Sequence, residues 1–525
     1  MKEKIRTIIL DAIKKTFPEL DMPLFKLDSA DENFGDYATN IAMVLAKLTG
    51  QSPKDIAEKL VDILSQEKMF EKVQIAGPGF INFYLEPVEF QKQVIDIVNA
   101  KDNYGQSDLG KDILANIEFI SANPTGPLTL GNGRNAYFGD TLARILEKYG
   151  ATVHREYYIN DRGVQITALG HSVLQDSEAV YKGDYIAELA PRIKTTDPAE
   201  AGEQAATILM EEYIKKTIIA MGIKFDTWFS EKSLHESEAV AKTLGTLESL
   251  GLTYKSEGAT WLKTTDFGDD KDRVVVTSEG EYTYFASDIA YHFNKMNRGY
   301  NLLIDFWGAD HHGYIGRLNA AIDMLRAQKN WSGNLEIMIC QLVRLVSGGK
   351  EVRMSKRAGN FVLLDELLQE VGPDVTRFFF LDRSLDSHME FDLDLAKEKS
   401  DKNPVYYVQY AYARINSILV KSDDKLSNLD IKLDLLTDPA EIDLIKQLIK
   451  FPELIEDIAE NHQAQKLAFY ARELAQTFHN FYEKCPIIKS GSDDLTVARL
   501  ELLKATKIVL KNTLDLLGVS APEKM

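Results

Sequence analysis

Apolar residues recur three or four apart near the start of the chain, at Leu10, Ile13 and Phe17 and again at Ile41, Leu45 and Leu48. That is the spacing of one helix face. The pattern then changes: Val73–Ala76 and Phe80–Leu85 flank Gly77-Pro78-Gly79, which predicts two strands around a tight turn. Residues 1–110 thus read as a small α+β module. The apolar run Ile113–Phe119 opens a second region. A Pro- and Gly-rich loop, 121–131, follows it. Next come a helical stripe over Arg134–Tyr149, carried by Leu142, Ile145, Leu146 and Tyr149, and a strand over Thr152–Ile159. Strand, helix, strand in that order predicts a parallel sheet with crossover helices. Further strands are expected at Arg273–Thr277, Leu302–Trp307 and Ile337–Val343. The stretch near 175–265 is helical and acidic, broken by Thr195-Thr196-Asp197-Pro198, and reads as an insertion. Beyond 395 only helical periodicity remains, with a polar break over Lys421–Ala440, which predicts a bundle. The expected architecture is α/β: a Rossmann-like parallel-sheet domain over 111–395, an N-terminal α+β domain over 1–110 and a C-terminal α-helical bundle over 396–525.

A length of 525 residues agrees with about three domains. With 45% hydrophobic and 27% charged residues, wholesale disorder is excluded. No window reaches the ~18 apolar residues of a membrane span, and the start, Met-Lys-Glu-Lys-Ile-Arg, has no signal-peptide core. Cys340 and Cys485 are the only cysteines, so a cysteine zinc site and a disulfide framework are excluded, and a reducing, cytoplasmic setting is expected. A net charge of −19 argues against indiscriminate nucleic-acid binding while leaving room for an RNA held by local basic patches.

Two phosphate-loop patterns fail on context. Gly105–Asp112 resembles a P-loop but lacks the Ser or Thr that would hold magnesium, and its strand follows it. Gly131-Asn-Gly133-Arg-Asn-Ala136, with Glu156 downstream, fits a dinucleotide fingerprint. A loop broken by two prolines, however, separates it from the strand that should run straight into it. A different reading fits the same segment better. A glycine-flanked loop at a helix N-terminus turns backbone N–H groups and the helix dipole toward an anion, and Thr129 and Asn132 add side-chain donors. Asn132 could equally be the N-cap of a helix beginning near Arg134. Far downstream, Gly348–Asn360 is a basic loop whose Arg353, Lys356 and Arg357 could clamp a polyphosphate. Alone, it reads as readily as a solvated surface loop.

Together the two segments say more. Ser121-Ala-Asn-Pro-Thr-Gly-Pro-Leu-Thr-Leu-Gly-Asn132 resembles the first signature of class I aminoacyl-tRNA synthetases, and Arg353-Met-Ser-Lys-Arg357 resembles the second. The chain is similar end to end to the arginyl-tRNA synthetase family in its bacterial form. Asn33–Asn40 and Ala76–Asn82 resemble the family's extra tRNA-contacting domain, Tyr406–Arg414 its anticodon-binding helices, and Leu517–Met525 its C-terminus. Thr129 and Asn132 stand where the family's first signature usually has histidines, and Arg353 where lysine is common.

The resemblance implies an arginine–tRNA ligase acting as a monomer, with ATP and its magnesium, L-arginine and tRNA as partners, and with no protein-bound metal. It implies Thr129, Asn132, Arg353 and Lys356 as catalytic, and Thr129, Gly131, Asn132, Gly133, Met354, Ser355 and Lys356 at ATP. Arginine would meet Glu118, Ser121, Asn123, Asn132, Tyr284, Asp288 and His312. Carboxylates suit a guanidinium because they accept its fork of donors in bidentate geometry. Absent the resemblance, Asp288 reads as a helix cap or surface ion pair, and Asn123 before proline as a turn residue. tRNA would meet Asn33, Tyr37, Tyr406, Tyr410 and Arg414. The Tyr406–Tyr412 cluster is split evenly between core and RNA contact, since positions three or four apart cannot all face outward. Metal patterns are weak: His311 and His312 would point to opposite faces of a strand, and His388, Glu390 and Asp392 lack a second cluster. Two rivals are an impaired relative that binds tRNA or arginine without charging, and an NAD-dependent oxidoreductase.

Overall fold

The first helix, Lys2–Thr16, buries Ile5, Ile9, Ala12 and Ile13, so the expected stripe is displaced: Leu10 and Phe17 only flank it. In the next helix, Ile41–Thr49, Ile41 and Leu45 are buried. Leu48 stays exposed, because the helix stops one residue later against Gly50 at φ +71°. The computed structural model describes residues 1–30, 34–329, 331–352, 362–422, 429–488 and 491–525. Around these helices and Pro53–Leu64, strands β1 (Leu27–Ser29), β2 (Tyr37–Thr39), β3 (Phe70–Ala76) and β4 (Phe80–Leu85) form an antiparallel sheet in the order β1-β2-β4-β3.

The central sheet is built from β5 (Leu114–Glu118), β6 (Thr152–Ile159) and β7 (Thr227–Ser230). After an antiparallel excursion, β8 (Thr253–Ser256), β9 (Ala259–Leu262) and β10 (Arg273–Val276), it is completed by β11 (Leu302–Gly308) and β12 (Asn334–Cys340). Its order is β7-β6-β5-β11-β12 and every pairing is parallel. The chain winds outward from β5 through β6 to β7, then returns to the other side of β5. This creates a switch point between β5 and β11, and ligands of such sheets bind in the crevice at the strands' carboxyl ends there.

The insertion differs from expectation. Asp184–Leu189, Pro198–Ile208 and Lys215–Ala220 are helical, but the same stretch then supplies the edge strand β7 and the β8–β9 hairpin. The strand expected at Arg273–Thr277 pairs with β9 in the small sheet, outside the parallel one. The run expected over Ile337–Val343 breaks after Cys340. β13 (Val343–Ser347) belongs to a third sheet with β14 (Lys350–Glu351) and β15 (Met389–Asp392).

Beyond β15 the described residues contain no strand. Four long helices, Pro404–Val420, Pro439–Asn461, Gln465–Lys484 and Asp493–Leu517, make the bundle. Two of them start on a proline behind a side-chain cap, Asn403 accepting from the Val405 N–H and Asp438 from the Ala440 N–H. One buried apolar cluster runs from Ile5 to Val519 through all three regions. Polar contacts join the chain's two ends: the Tyr37 hydroxyl donates to Glu453 Oε1 at 2.6 Å, Lys446 meets Asp36 at 2.6 Å, and Gln91 donates to the Leu436 carbonyl at 3.0 Å.

Candidate active site

The backbone is strained where β5 opens into the crevice. Ile120 and Ser121 have φ of +66° and +41°, a region a β-branched residue enters only when its surroundings compel it. Asn135 supplies the compulsion. Its Oδ1 accepts from the Ile120 N–H at 2.6 Å while its Nδ2 donates to the Phe306 carbonyl of β11 at 2.9 Å, which stitches the two diverging strands. The turn presents Ser121, whose Oγ accepts from the Tyr158 N–H at 3.0 Å, and Asn123, whose Nδ2 donates to Gln165 at 2.6 Å.

The helix after the loop begins at Leu130, not near Arg134, and Thr129 is its N-cap residue. Asn132 is therefore not the cap. It is the third helical residue, and its Oδ1 accepts from the Thr129 N–H at 2.9 Å and the Thr129 hydroxyl at 3.0 Å. With Oδ1 so engaged, the amino group is the part of the Asn132 amide left to donate. A Cβ on Gly131 would make only an ordinary contact, 3.9 Å from Thr129 Oγ1, whereas one on Gly133 would come within 2.7 Å of Leu364; Gly133 is a packing glycine. Both glycines lie inside the helix, which removes the basis of the dinucleotide reading, since that fingerprint needs them in the turn before it. Thr129 also forms a β-bridge with Leu363, and Leu364 N–H donates to the Leu128 carbonyl at 2.9 Å. The first signature is thus joined to the residues that immediately follow the second. Arg353, Met354, Ser355 and Lys356 lie outside the described residues.

Carboxylates gather below the crevice. Lys295, with no exposure, donates to Glu118 at 2.6 Å and Asp305 at 2.8 Å, and His292 Nε2 lies 2.7 Å from the other Asp305 oxygen. Burial opposes the Asp305 charge, yet Lys295 and His292 hold that carboxyl down at about 2. Burial pushes the Glu118 carboxyl up against the pull of Lys295. One oxygen of Glu118, Oε2, is thus taken by a buried lysine, a partner that the sequence-based expectation did not include.

Asp288 is differently placed. Thr283 caps its helix, Tyr284–Asn297, so Asp288 is not a cap. Among the described residues no cation forms a salt bridge with it, and its carboxylate accepts from the Tyr314 hydroxyl. Burial, aided by Glu118 and Asp305, lifts its carboxyl to about 6. Glu231, at the carboxyl end of β7 and 4% exposed, is lifted to about 7 by burial and then by the charge of Asp288. Each of these two carboxyls is raised by burial first, and the charge of Asp288 adds to the shift at Glu231. Glu231 is absent from the sequence-based set because Ser230-Glu231-Lys232-Ser233 reads as an ordinary acidic first turn of a helix; its place after the third strand of the sheet was the missing signal. Tyr284, 55% exposed, lies one turn from Asp288 and lines a cavity of about 320 Å³ with Tyr314, Arg273 and Arg317. His311 and His312 are not on a strand; both are exposed in the turn Ala309–Tyr314 that leaves β11.

The residues expected at RNA divide. Tyr37 is 4% exposed with its hydroxyl bound to Glu453; it packs the two ends of the chain together and is not open to an RNA. Asn33 lies outside the described residues. Tyr406 stacks on Tyr410 with ring centroids 6.4 Å apart, and Tyr410, 40% exposed, stacks on His479 at 5.9 Å. Tyr412 is core. Arg414 donates to the Tyr482 hydroxyl at 2.5 Å and lies over its ring. Asp392 caps a short helix, and among the described residues no group of three or more His, Cys, Asp or Glu is arranged to hold a metal ion.

Three family models match the chain: the arginyl-tRNA synthetase N-terminal domain over residues 3–85, the class I (R) tRNA synthetase catalytic domain over 192–421, and the DALR anticodon-binding domain over 408–525. Among curated relatives, an arginine–tRNA ligase of Desulfosudis oleivorans is 44% identical, with 100% of each chain covered. One of Listeria welshimeri is 43% identical, covering 100% of this chain and 98% of the relative. The arginyl-tRNA synthetase of Thermus thermophilus superposes with a TM-score of 0.80 over 100% of both chains at 22% identity, a likeness of fold.

Proposed function

The chain belongs to the arginyl-tRNA synthetase family of class I, and on that premise we propose that it activates L-arginine with ATP and transfers the arginyl group to the terminal adenosine of its tRNA. The substrate carboxylate attacks the α-phosphate and pyrophosphate leaves. A ribose hydroxyl of the tRNA then attacks the adenylate's carbonyl carbon and AMP leaves. No covalent enzyme intermediate is required, and catalysis consists of positioning and electrostatic stabilisation of the phosphorus-centred transition state.

The observation that carries this reading is the juxtaposition at the switch point. On one side is a carboxylate pair, Asp288 and Glu231, with no salt-bridging Lys or Arg among the described residues. On the other is a helix N-terminus, Thr129–Gly131, whose N–H groups suit phosphate. Arginine would lay its guanidinium between Asp288 and Glu231 against Tyr284, with Ser121, Asn123 and Asn132 toward its backbone end and His312 at the rim. Glu118 supports the site from below. ATP would meet Thr129, Gly131 and the amino group of Asn132, and the family resemblance adds Arg353, Met354, Ser355 and Lys356 as its further partners. Magnesium would arrive with ATP as the counterion of its phosphates. Tyr406, Tyr410 and Arg414 would stack and hold anticodon bases. The enzyme would work as a cytoplasmic monomer. Arginine-dependent ATP–pyrophosphate exchange, with and without tRNA, tests the reading; exchange absent under both conditions overturns it in favour of a binding-only relative.

A further inference from the structure

The helix Tyr284–Asn297 carries a polar stripe. Tyr284, Asp288, His292 and Lys295 recur four, four and three positions apart, the spacing of one helix face. Tyr284 and Asp288 are the pair that the proposed function gives to arginine. His292 and Lys295 meet the two strands that flank the switch point, where Glu118 of β5 and Asp305 of β11 are register partners. Both acids are buried, Asp305 with no exposure and Glu118 with 7%, and two like charges so placed repel. Lys295 bridges them, 2.6 Å from Glu118 Oε2 and 2.8 Å from Asp305 Oδ1. The other Asp305 oxygen, Oδ2, lies 2.7 Å from His292 Nε2, and His292 Nδ1 lies 2.7 Å from the Asp288 carbonyl oxygen. A carbonyl oxygen can only accept, and so can a carboxylate kept ionised by a lysine. Both ring nitrogens of His292 must then carry protons. A buried imidazolium therefore sits one turn from Asp288, its charge sustained by Asp305 against the cost of burial.

We propose that Asp305 is a positioning residue for arginine recognition: gripping His292 with one oxygen and Lys295 with the other, it holds the Tyr284–Asp288 end of the helix in register with Glu118 at the end of β5. This rests on the reading of Asp288 as a guanidinium ligand. Asp305 itself touches no substrate; it acts through the helix. The hydrogen bonds run unbroken from β11 through His292 to the backbone of Asp288, and through Lys295 to the Glu118 carboxylate. A shift at Asp305 thus reaches two of the carboxylates assigned to arginine. Only a carboxylate suits the position. Both partners are cationic donors, and an amide would turn its own NH₂ group on one of them. Leu302-Leu-Ile-Asp305-Phe-Trp307 is an apolar strand with one acid in it, and an acid buried there is tolerated only when it is paired.

The test is the arginine KM, ATP KM and kcat of Asp305→Asn, His292→Gln and the double variant, with tRNA saturating and melting measured on the same samples. Asp305→Asn keeps the shape and loses the double grip. Its arginine KM should rise about tenfold to a hundredfold, the effect of displacing a binding group by up to an ångström, while the ATP KM and the kcat at saturating arginine hold. His292→Gln leaves Asp305 on Lys295 and should give a smaller rise. Because both act through one tie, the double variant should be no worse than Asp305→Asn alone; effects that multiply overturn the proposal. So does an unchanged arginine KM, or a fall in kcat with both KM values raised in step, which marks a residue that only supports the fold. Should Asp305→Asn fail to fold, as breaking a buried ion pair can cause, His292→Gln and the wild-type enzyme decide. With isotope-labelled histidine, wild-type His292 should show two ring N–H protons at about pH 8, where an ordinary histidine is neutral; one ring proton, or an unchanged arginine KM in His292→Gln, overturns the tie. Asp288→Asn run alongside separates the two levels: if it leaves the arginine KM unchanged, the guanidinium-ligand reading itself fails, whereas a raised KM there with none at Asp305→Asn sinks only the present inference.

Discussion

Asp288, the proposed guanidinium ligand, is a carboxylate with no salt-bridging cation among the described residues, while Lys295 on the same helix bonds Glu118 and Asp305. Asp288→Asn should therefore weaken arginine by about 2–5 kcal/mol, the usual cost of losing one member of a desolvated charge pair, with ATP affinity nearly unchanged; equal weakening of both substrates would refute the assignment. The pH dependence follows in sign. Carboxyls raised to about 6 and about 7 favour the apo fold while protonated, and that contribution is lost as pH rises from the ordinary carboxylate range through those values. Arginine selects the ionised forms. Its binding between pH 6 and 7 should release protons, seen as a dependence of the calorimetric heat on buffer ionisation enthalpy, and its KM should fall as pH rises through that window. At the helix start, Thr129→Ala should cost about 1 kcal/mol of stability as a lost cap. Asn132→Ala should lower adenylation by about 10²–10³ by analogy with oxyanion-hole donors; single-turnover rates and melting on the same samples distinguish them. Asp288 and Tyr284 were named by the family resemblance, and their spacing of four puts them on one face of the helix Tyr284–Asn297. The bond from Lys295 to Glu118 was not legible, since the two lie 177 positions apart and no local pattern reports such a partner.

Two inserted helices show what glycine contributes to an element. Val164–Leu174 starts immediately after Arg162 and Gly163, and it crosses Pro198–Ile208 at Gly170 and Gly202. A Cβ on Gly202 would stand 1.9 Å from the Ile166 carbonyl oxygen, and one on Gly170 would stand 1.7 Å from that of Pro198. Backbone cannot yield as a flexible side chain can. Gly202→Ala should destabilise by about 1–3 kcal/mol or more, read as a lowered Tm. An unchanged Tm would show that the helices can slide apart freely. Elements of this kind were visible in sequence only in part. The order of β5, the helix Leu130–Tyr149 and β6 declared the parallel sheet. β7 and β8 are four-residue strands with no fully buried side chain, so burial left no period of two to read, and tertiary pairing alone defines them.

On the scale of the whole molecule, a net charge of −19 means that tRNA must be held by local cations and exposed rings. Affinity should fall steeply with salt as counterions are released. Tyr410→Ala should weaken tRNA by about 1–3 kcal/mol, the worth of one base–aromatic stack, while arginine-dependent exchange measured at saturating tRNA is preserved; loss of both together would mark Tyr410 as structural. The three-region organisation was legible because each region changes its periodicity. The way the ends meet was not, because Tyr37 carries no mark of its distant carboxylate. That meeting has a consequence for biogenesis. Tyr37 and Glu453 are 416 positions apart, and at about 5–20 residues per second of synthesis the first waits roughly 20–80 s for the second to be made. The helix Pro87–Ala100, whose Gln91 is bonded to Leu436, waits almost as long with its apolar face uncovered. The N-terminal module thus leaves the ribosome early but docks late. Nascent chains stalled before the bundle should be held by chaperones at that face, and released chains should shed them once the last helices emerge.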